Sequence, residues 1–420
     1  MDNAEGRKKA GIFSGRKPNL APTGGIGLYI HAPFCAKRCS YCDFYSTTDV
    51  RVERVGRYVE AVQRELREWS MCCTAATIST IYFGGGTPSL LGHHITRILE
   101  TIGACFTVQA DAEITVEANP GSLDHDILMQ WVASGVNRIS LGVQSFDKEV
   151  LKVLGRGHSI DDTMKALSLL DETGVEVSID LMCSVPCQDT SAWRAQLEMA
   201  IACEVGHISV YPLTLEKNTL LARQVAAGQI TLPDDEEGAD QMMLAHELLG
   251  EAGFEHYEVS NYARPYKRAR HNMGYWTGVP YLGIGPSAAS MVPLDDGTRL
   301  RAIAHTTLDH FIRASDQKQK ADRPQDNSVL SLSALEWWSQ GAREILDVED
   351  AIREDIMLTM RTKDGVESLH VEEAGLFEVF ETLCAQGLVF FDDRAGRYRP
   401  TARGYLLGNE IYSAIWNRPR

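Results

Sequence analysis

The sequence has no apolar run of the roughly 18 residues needed to span a bilayer, which excludes an integral membrane protein. Basic residues are also scarce, since 41 Lys and Arg stand against 57 Asp and Glu, and the formal net charge of −16 argues against nucleic-acid binding. No signal-length apolar run follows the basic stretch in residues 1–26, which we expect to be a disordered arm. We therefore expect a cytoplasmic protein with at most peripheral membrane contact.

A secreted disulfide framework is absent as well. The ten cysteines are spread unevenly over 420 residues, at positions 35, 39, 42, 72, 73, 105, 183, 187, 203 and 384. Such a distribution fits a reducing cytosol, where a tight group of cysteines indicates metal binding or catalysis.

From Gly27 onward, short β-branched or aromatic runs alternate with amphipathic helical stretches. The pattern predicts an α/β fold with an open parallel sheet, a partial (β/α)6 barrel, and function at the carboxyl ends of its strands. We expect strands at 28–31, 78–83, 113–116, 138–142, 175–180 and 207–212, with helices at 52–69, 92–105, 123–134, 159–172 and 189–204.

The pattern loosens after the sixth strand, and a helix is expected at 234–252. We expect a core with its extension over 27–320, a linker and helix over 321–348, and a small C-terminal α+β domain over 349–420. That domain has the pattern of a winged helix, with helices at 349–361 and 371–386 and a hairpin at 387–398. Its mixed charge argues against DNA as a partner.

The densest local signal is YIHAPFCAKRCSYCDFYS, where Cys35, Cys39 and Cys42 follow a strand with the spacing C-x3-C-x2-C. A [4Fe–4S] cluster normally takes one cysteine per iron, so three thiolates would leave one iron open to a ligand. A zinc site is the alternative, but zinc ligands usually come as two separated pairs.

This loop resembles the hallmark of the radical S-adenosylmethionine (SAM) superfamily, which carries it after the first strand of a partial (β/α)6 barrel. The resemblance implies that the open iron binds the amino and carboxylate groups of SAM. It also implies that one electron from the cluster cleaves a carbon–sulfur bond to give the 5′-deoxyadenosyl radical.

Residues at the other strand ends fit a ligand site. The segment GGGTP after the second strand lets the backbone approach a ligand without Cβ obstruction. Glu117, Gln144 and Asp180 end the next three strands and Arg156 follows Gln144. Buried charges of this kind need partners, so each belongs either to a ligand site or to a structural ion pair.

The coproporphyrinogen-dehydrogenase-like branch of the superfamily is similar at these positions. The resemblance implies SAM contacts at Tyr29, Tyr41, Gly85, Gly86, Thr87, Glu117, Gln144, Arg156 and Asp180. Members of this branch can hold two SAM molecules.

Phe44 separates two families within the branch. The oxygen-independent coproporphyrinogen III dehydrogenases have a further cysteine there and a longer N-terminal arm than the 34 residues that precede Cys35. With Phe44 in the last position, the pattern C-x3-C-x2-C-x-F instead resembles that of the haem chaperone family HemW. Later segments resemble the same family, namely NPGSLD, GVQSFD, HISVYPLTLEKNT, HNMGYW and YLGIGPSAAS. The resemblance implies a [4Fe–4S] cluster, SAM, and haem as a cargo delivered to apo-cytochromes of the respiratory chain or other haemoproteins.

The segment HNMGYW resembles a signature associated with haem binding in that family, which makes His271 a candidate haem ligand and its aromatic neighbours candidate packing surfaces. A packed structural histidine is the alternative. Two positions depart from the family pattern: Cys187 replaces a glycine and Ala289 replaces a histidine found in many relatives.

Three functions stay open from the sequence. The first is a haem chaperone, and the others are enzymes: a radical SAM methyltransferase that uses two SAM molecules, and coproporphyrinogen III dehydrogenase. The sequence leaves open whether SAM is cleaved in function, so we make no assignment of catalytic residues.

Overall fold

The computed structural model describes residues 24–72, 76–304, 307–318 and 342–417. Most of the predicted N-terminal arm and most of the predicted linker lie outside these residues. In the part of the chain that the structure describes, no helix is long and apolar enough to cross a membrane.

A twelve-stranded sheet forms the core, in the order β12-β11-β10-β9-β1-β2-β3-β4-β5-β6-β8-β7. The six predicted strands form its parallel centre. Their bounds are β1 Ile26–Ala32, β2 Thr77–Gly85, β3 Thr107–Ala118, β4 Arg138–Gln144, β5 Glu176–Cys183 and β6 His207–Pro212.

A seventh strand, not predicted from the sequence, extends the parallel part, because β9 pairs with β1 in parallel from Gly27↔Tyr281 to Ile30↔Ile284. Antiparallel strands complete both ends of the sheet. The strand β12 falls within the segment predicted as linker and helix. The remaining bounds are β7 Glu255–Glu258, β8 Asn261–Ala263, β9 Tyr281–Ile284, β10 Ala289–Pro293, β11 Arg299–Ile303 and β12 Arg343–Leu346.

Helices follow the parallel strands and cover the sheet. Several begin at a side-chain cap, such as Asp124, whose carboxylate accepts hydrogen bonds from two backbone N–H groups, and Ser159, which forms a capping box with Asp162. The helices are α1 Val52–Cys72, α2 His94–Cys105, α3 His125–Ala133, α4 Lys148–Val153, α5 Ile160–Asp171, α6 Thr190–Ala202, α7 Leu220–Ala226, α8 Asp235–Glu251, α9 Arg270–Trp276 and α10 Leu308–Lys318.

The central strands are largely buried on both faces even though polar and apolar residues alternate along several of them, as in RISLGVQ of β4, whose seven residues are all buried. Leu28 and Ile30 of β1 are fully buried in the main core. Because the parallel strands all run in one direction, their carboxyl ends and the loops that follow lie at one edge of the sheet. That edge is where the cysteine loop and GGGTP emerge.

The C-terminal residues form a small α+β domain with its own core, which includes Phe380, Tyr398 and Ile411. The predicted single helix over 371–386 is wrong: Gly375 adopts φ of +64° and separates two short helices. The elements are α11 Val348–Thr359, β13 Val366–Glu367, α12 Ser368–Glu373, α13 Phe377–Ala385, β14 Val389–Asp392, β15 Arg397–Pro400, α14 Ala402–Leu406 and α15 Gly408–Trp416.

Helix α11 attaches this domain to the sheet through a buried ion pair. Arg299 of β11 contacts Glu354 at 2.6 Å and Asp355 at 2.8 Å. A backbone hydrogen bond from Val259 N–H to the Arg361 carbonyl, 3.1 Å long, supports the same contact. The C-terminal domain therefore forms part of the surroundings of the strand ends.

Candidate functional site

The cysteine loop is held at both of its ends by backbone hydrogen bonds. The Cys35 N–H donates to the Thr47 carbonyl at 2.9 Å. In the middle of the loop, Ser40 N–H donates to the Leu154 carbonyl at 3.0 Å, and the Ser40 carbonyl accepts from Leu221 N–H at 2.8 Å. These bonds fix the loop against segments that follow β4 and β6.

The thiols of this loop face polar partners. The Thr87 hydroxyl lies 3.8 Å from Cys35 Sγ, and Arg156 Nη1 lies 3.4 Å from Cys39 Sγ. Burial raises the pKa of Cys35 and of Cys42, so both are thiols until a metal displaces their protons.

The three thiols fit a cluster better than a single ion. Among the described residues, no group of three or more His, Cys, Asp or Glu side chains is arranged around one metal ion. A [4Fe–4S] cluster takes one thiolate per iron, so its ligands need not converge on a point. A guanidinium beside Cys39 also suits the negative charge that such a cluster carries.

Gly85, Gly86 and Thr87 pack directly under the cysteine loop. Gly85 adopts φ of +115° and its N–H donates to Glu117 at 3.1 Å. A Cβ on Gly86 would lie 2.7 Å from the Phe34 carbonyl oxygen and 3.0 Å from Cys35 Sγ. Glycine is therefore required where the two loops touch.

Glu117 and Asp180 are half-buried carboxyls, one at the penultimate position of β3 and the other within β5, three residues before its end. Glu117 accepts from Tyr82 OH at 2.8 Å, and burial raises its pKa to about 7. Asp180 accepts from Ser140 at 3.2 Å, and burial raises its pKa to about 6. A cationic ligand would restore the charged form of both groups, which suits the ammonium and sulfonium charges of SAM.

Asn119, which the sequence analysis missed, joins two predicted site residues. Its amide N–H donates to Thr87 Oγ1 at 3.0 Å, and its amide oxygen accepts from Arg156 Nη2. Arg156 also donates to the Gly142 carbonyl at 2.8 Å. The sequence could have indicated Asn119 as a candidate site residue, because it belongs to the segment EANP, which begins with Glu117 at a strand end.

Gln144 and Tyr41 lie at the same edge of the sheet. Gln144 is buried and adopts φ of +66° at the end of β4, an uncommon conformation for a residue with a side chain. Tyr41 packs against a small apolar cluster that includes Leu154 and Met182. Their contacts with SAM stay a prediction.

An aromatic pocket of about 470 Å³ opens beside this site. It begins at Phe44, two residues after Cys42, and shares Tyr29 with the strand-end site. Phe44 is 69% exposed, which is unusual for a large apolar side chain. The pocket is lined by Tyr29, His31, Phe44, Tyr45, Tyr275, Trp276, Tyr281, Ser287, Ala289, Met291, Arg301, Glu354 and Leu358.

His271 lies behind the pocket and does not line it. Its imidazole is 3% exposed, and its Nδ1 and Nε2 are 2.8 Å from Thr80 Oγ1 and Tyr275 OH, respectively. Burial lowers its pKa to about 3. Haem ligation by His271 stays a prediction, and it would require one of these hydrogen bonds to break.

The two departures from the family pattern have clear places. Cys187 adopts φ of +68°, the left-handed region that favours glycine, and its side chain is exposed. Ala289 lies in the pocket wall, at the exposed first position of β10. The pocket therefore has a methyl group where the resemblance to the family implies an imidazole.

Comparison with known proteins identifies the family. Residues 29–190 match the model of the Radical SAM superfamily. The Heme chaperone HemW of Mycobacterium tuberculosis (strain H37Rv) is 33% identical over 405 residues, which cover 95% of this chain and 97% of that protein. The chain belongs to the HemW family of radical SAM proteins.

Two further proteins are similar to this chain over most of its length. The mitochondrial Radical S-adenosyl methionine domain-containing protein 1 of Danio rerio is 35% identical over 92% of this chain and 86% of its own length. The solved structure of the radical SAM enzyme coproporphyrinogen III oxidase (HemN) from Escherichia coli has a TM-score of 0.77 and 22% identity, covering 94% of this chain and 91% of that one. This last likeness confirms the predicted fold.

Proposed function

We propose that this chain is a haem chaperone, which holds a [4Fe–4S] cluster, SAM and haem and passes haem to apo-cytochromes or other apo-haemoproteins. The observation that carries the proposal is the position of the aromatic pocket, which starts at Phe44 immediately beside the cysteine loop. The full-length similarity to Heme chaperone HemW proteins supports the same assignment.

In this proposal Cys35, Cys39 and Cys42 ligate the cluster, and Arg156, whose Nη1 lies 3.4 Å from Cys39 Sγ, would stabilise its negative charge. SAM lies at the strand ends, where Glu117 and Asp180 provide carboxylates and the GGGTP backbone approaches closely. When bound, a reduced cluster would supply an electron to SAM. The chain itself binds, orients and shields these groups.

Haem lies in the aromatic pocket, where rings line much of the wall. Large aromatic side chains bury extensive area against a planar ligand, which suits a hydrophobic macrocycle. The site requires reduced thiols, and the eight cysteines whose side chains the structure describes are free. We therefore propose that the protein acts in a reducing compartment such as the cytoplasm.

The test is anaerobic reconstitution of the cluster followed by haem titration, with and without SAM, read by absorption spectroscopy. We expect one haem per chain, and transfer of that haem to an apo-cytochrome added afterwards. Replacing Cys42 by Ser should remove the cluster, whereas Cys384→Ser, in the C-terminal domain, should not. Absence of haem binding, with 5′-deoxyadenosine released under reductant, would instead identify an enzyme.

A further inference from the structure

The imidazole in the wall of the aromatic pocket has no free nitrogen. His31 Nε2 donates to the Tyr45 carbonyl at 3.0 Å, which leaves Nδ1 as the acceptor for the Tyr29 hydroxyl at 3.1 Å. Burial lowers the pKa of His31, so the ring is neutral. A metal could bind Nδ1 only if the bond from Tyr29 were broken.

The imidazole behind the wall is occupied in the same way. Both nitrogens of His271 are in hydrogen bonds, to Thr80 and Tyr275, and its ring stacks on Tyr82 with centroids 5.0 Å apart. These contacts orient the Tyr275 ring toward the pocket. His271 is therefore a positioning residue for an aromatic wall.

The other side chains of the wall are poor ligands for ferric iron. Burial raises the pKa of Tyr29, Tyr275 and Tyr281, so their hydroxyls stay protonated and are weak donors to a metal. The Glu354 carboxylate is already paired with two arginine side chains. The thioether of Met291 is a soft ligand that suits ferric iron poorly, and this residue is only 5% exposed.

The wall does offer flat aromatic faces held in fixed orientations. Trp276 Nε1 donates to buried Glu258 at 2.8 Å, and the Tyr275 and Tyr281 rings meet edge to face with centroids 4.7 Å apart. Phe44 completes the opening and is free to pack on a ligand. Such a surface recognises the conjugated plane of a ligand.

We propose that the aromatic pocket binds a tetrapyrrole by its flat ring, with no side chain of the pocket ligating the central metal, so that it accepts planar porphyrins with or without iron. This inference rests on the proposed function and names the ligand class of the same site. It also explains haem release. An acceptor protein that offers an axial ligand forms a new bond to iron, whereas no bond between the iron and the chaperone has to be broken.

The test compares three ligands on the cluster-reconstituted chain: ferric haem, zinc protoporphyrin IX and metal-free protoporphyrin IX. We expect dissociation constants within about threefold of one another. If haem binds and metal-free protoporphyrin IX binds more than about tenfold more weakly than haem, the inference is overturned and the proposed function stays intact. Binding of none of the three would overturn both.

Two variants test ligation directly. Met291→Leu removes the sulfur at similar volume, and His271→Gln removes the imidazole and keeps a polar side chain. We expect neither to move the Soret band of bound ferric haem, since neither residue ligates the iron. A band shift in either variant would identify the iron ligand and contradict the inference.

A third variant tests the aromatic contact. Phe44→Ala should weaken the binding of all three porphyrins by the same factor, about tenfold. Phe377→Ala is the matched control, because Phe377 is also a half-exposed phenylalanine but lies on α13 of the C-terminal domain. Weakening of haem alone by Phe44→Ala, or equal effects of the two variants, would count against ring recognition.

Discussion

Arg156 Nη1 lies 3.4 Å from Cys39 Sγ, although 117 residues separate the two in the chain. The same guanidinium donates to Asn119 and to the Gly142 carbonyl, so its position beside the thiol is fixed by the ends of β3 and β4. A cation held there stabilises a cluster most when the cluster is reduced and more negative.

We therefore expect Arg156→Gln to lower the reduction potential of the reconstituted cluster by on the order of 50 mV, about 1 kcal/mol for one electron. Arg156→Lys keeps the charge and should recover most of the loss. The measurement is an anaerobic redox titration followed by electron paramagnetic resonance. An unchanged reduction potential in Arg156→Gln would show that the guanidinium does not stabilise the reduced cluster electrostatically.

Gly86→Ala should destabilise the contact between GGGTP and the cysteine loop. The added Cβ would lie 2.7 Å from the Phe34 carbonyl oxygen, so the backbone must shift at a cost of roughly 1–3 kcal/mol. We expect a lower urea midpoint and less iron per chain after reconstitution. Gly56→Ala, in α1 with open space around it, should instead stabilise by about 1 kcal/mol.

Glu258 should make stability depend on pH. Burial raises its pKa from 4.5 in the unfolded chain to about 7, and it accepts from Trp276 Nε1. The folded state therefore binds the Glu258 proton more tightly than the unfolded chain does. The contribution of this proton to folding stability is fully present below pH 4.5 and is lost as pH rises through about 7.

Glu258→Gln removes this titration and keeps an acceptor for Trp276. Between pH 5 and 7, we expect the variant to lose less unfolding free energy than the unaltered protein, with a difference of at most about 3 kcal/mol. Urea unfolding at a series of pH values measures it. Parallel pH profiles for the two proteins would show that Glu258 is charged throughout this range.

The buried pair Arg299–Glu354 should control the attachment of α11 to the sheet. Arg299→Met leaves Glu354 without its contact at 2.6 Å, and breaking a buried pair in this way costs about 3–5 kcal/mol. The double variant with Glu354→Leu removes both charges and should recover a large part of that loss. Simple additivity in this double-mutant cycle would mean that the pair is not coupled.

The sequence predicted the parallel centre of the sheet well, because short β-branched or aromatic runs alternate there with amphipathic helical stretches. The strand 207–212 was predicted at the bounds that the structure gives it. The strand β9 was missed because it has only four residues, Tyr281–Ile284, and its parallel partner β1 is remote in the chain. Local pattern contains no information on such pairing.

Prediction of the site also succeeded for features set by local pattern and failed for those that depend on contacts between distant segments. Residue types at the predicted strand ends made Glu117 and Asp180 candidates, because parallel strands place their carboxyl ends together. In the structure β5 continues for three residues beyond Asp180. The aromatic pocket could not be predicted from local pattern, since Phe44, Tyr275 and Met291 come from distant segments. The hydrogen bonds of His271 were equally hidden, because they depend on Thr80 in β2.

The parallel pairing of β1 with β9 has a consequence for biosynthesis. One side of β1 has no neighbouring strand until the ribosome has added about 250 further residues, so its edge stays open to other chains meanwhile. The cysteine loop begins at the end of this same strand, before its surroundings exist. Iron–sulfur loading should therefore follow the synthesis of β9, and protein truncated before Tyr281 should accumulate as aggregates without iron.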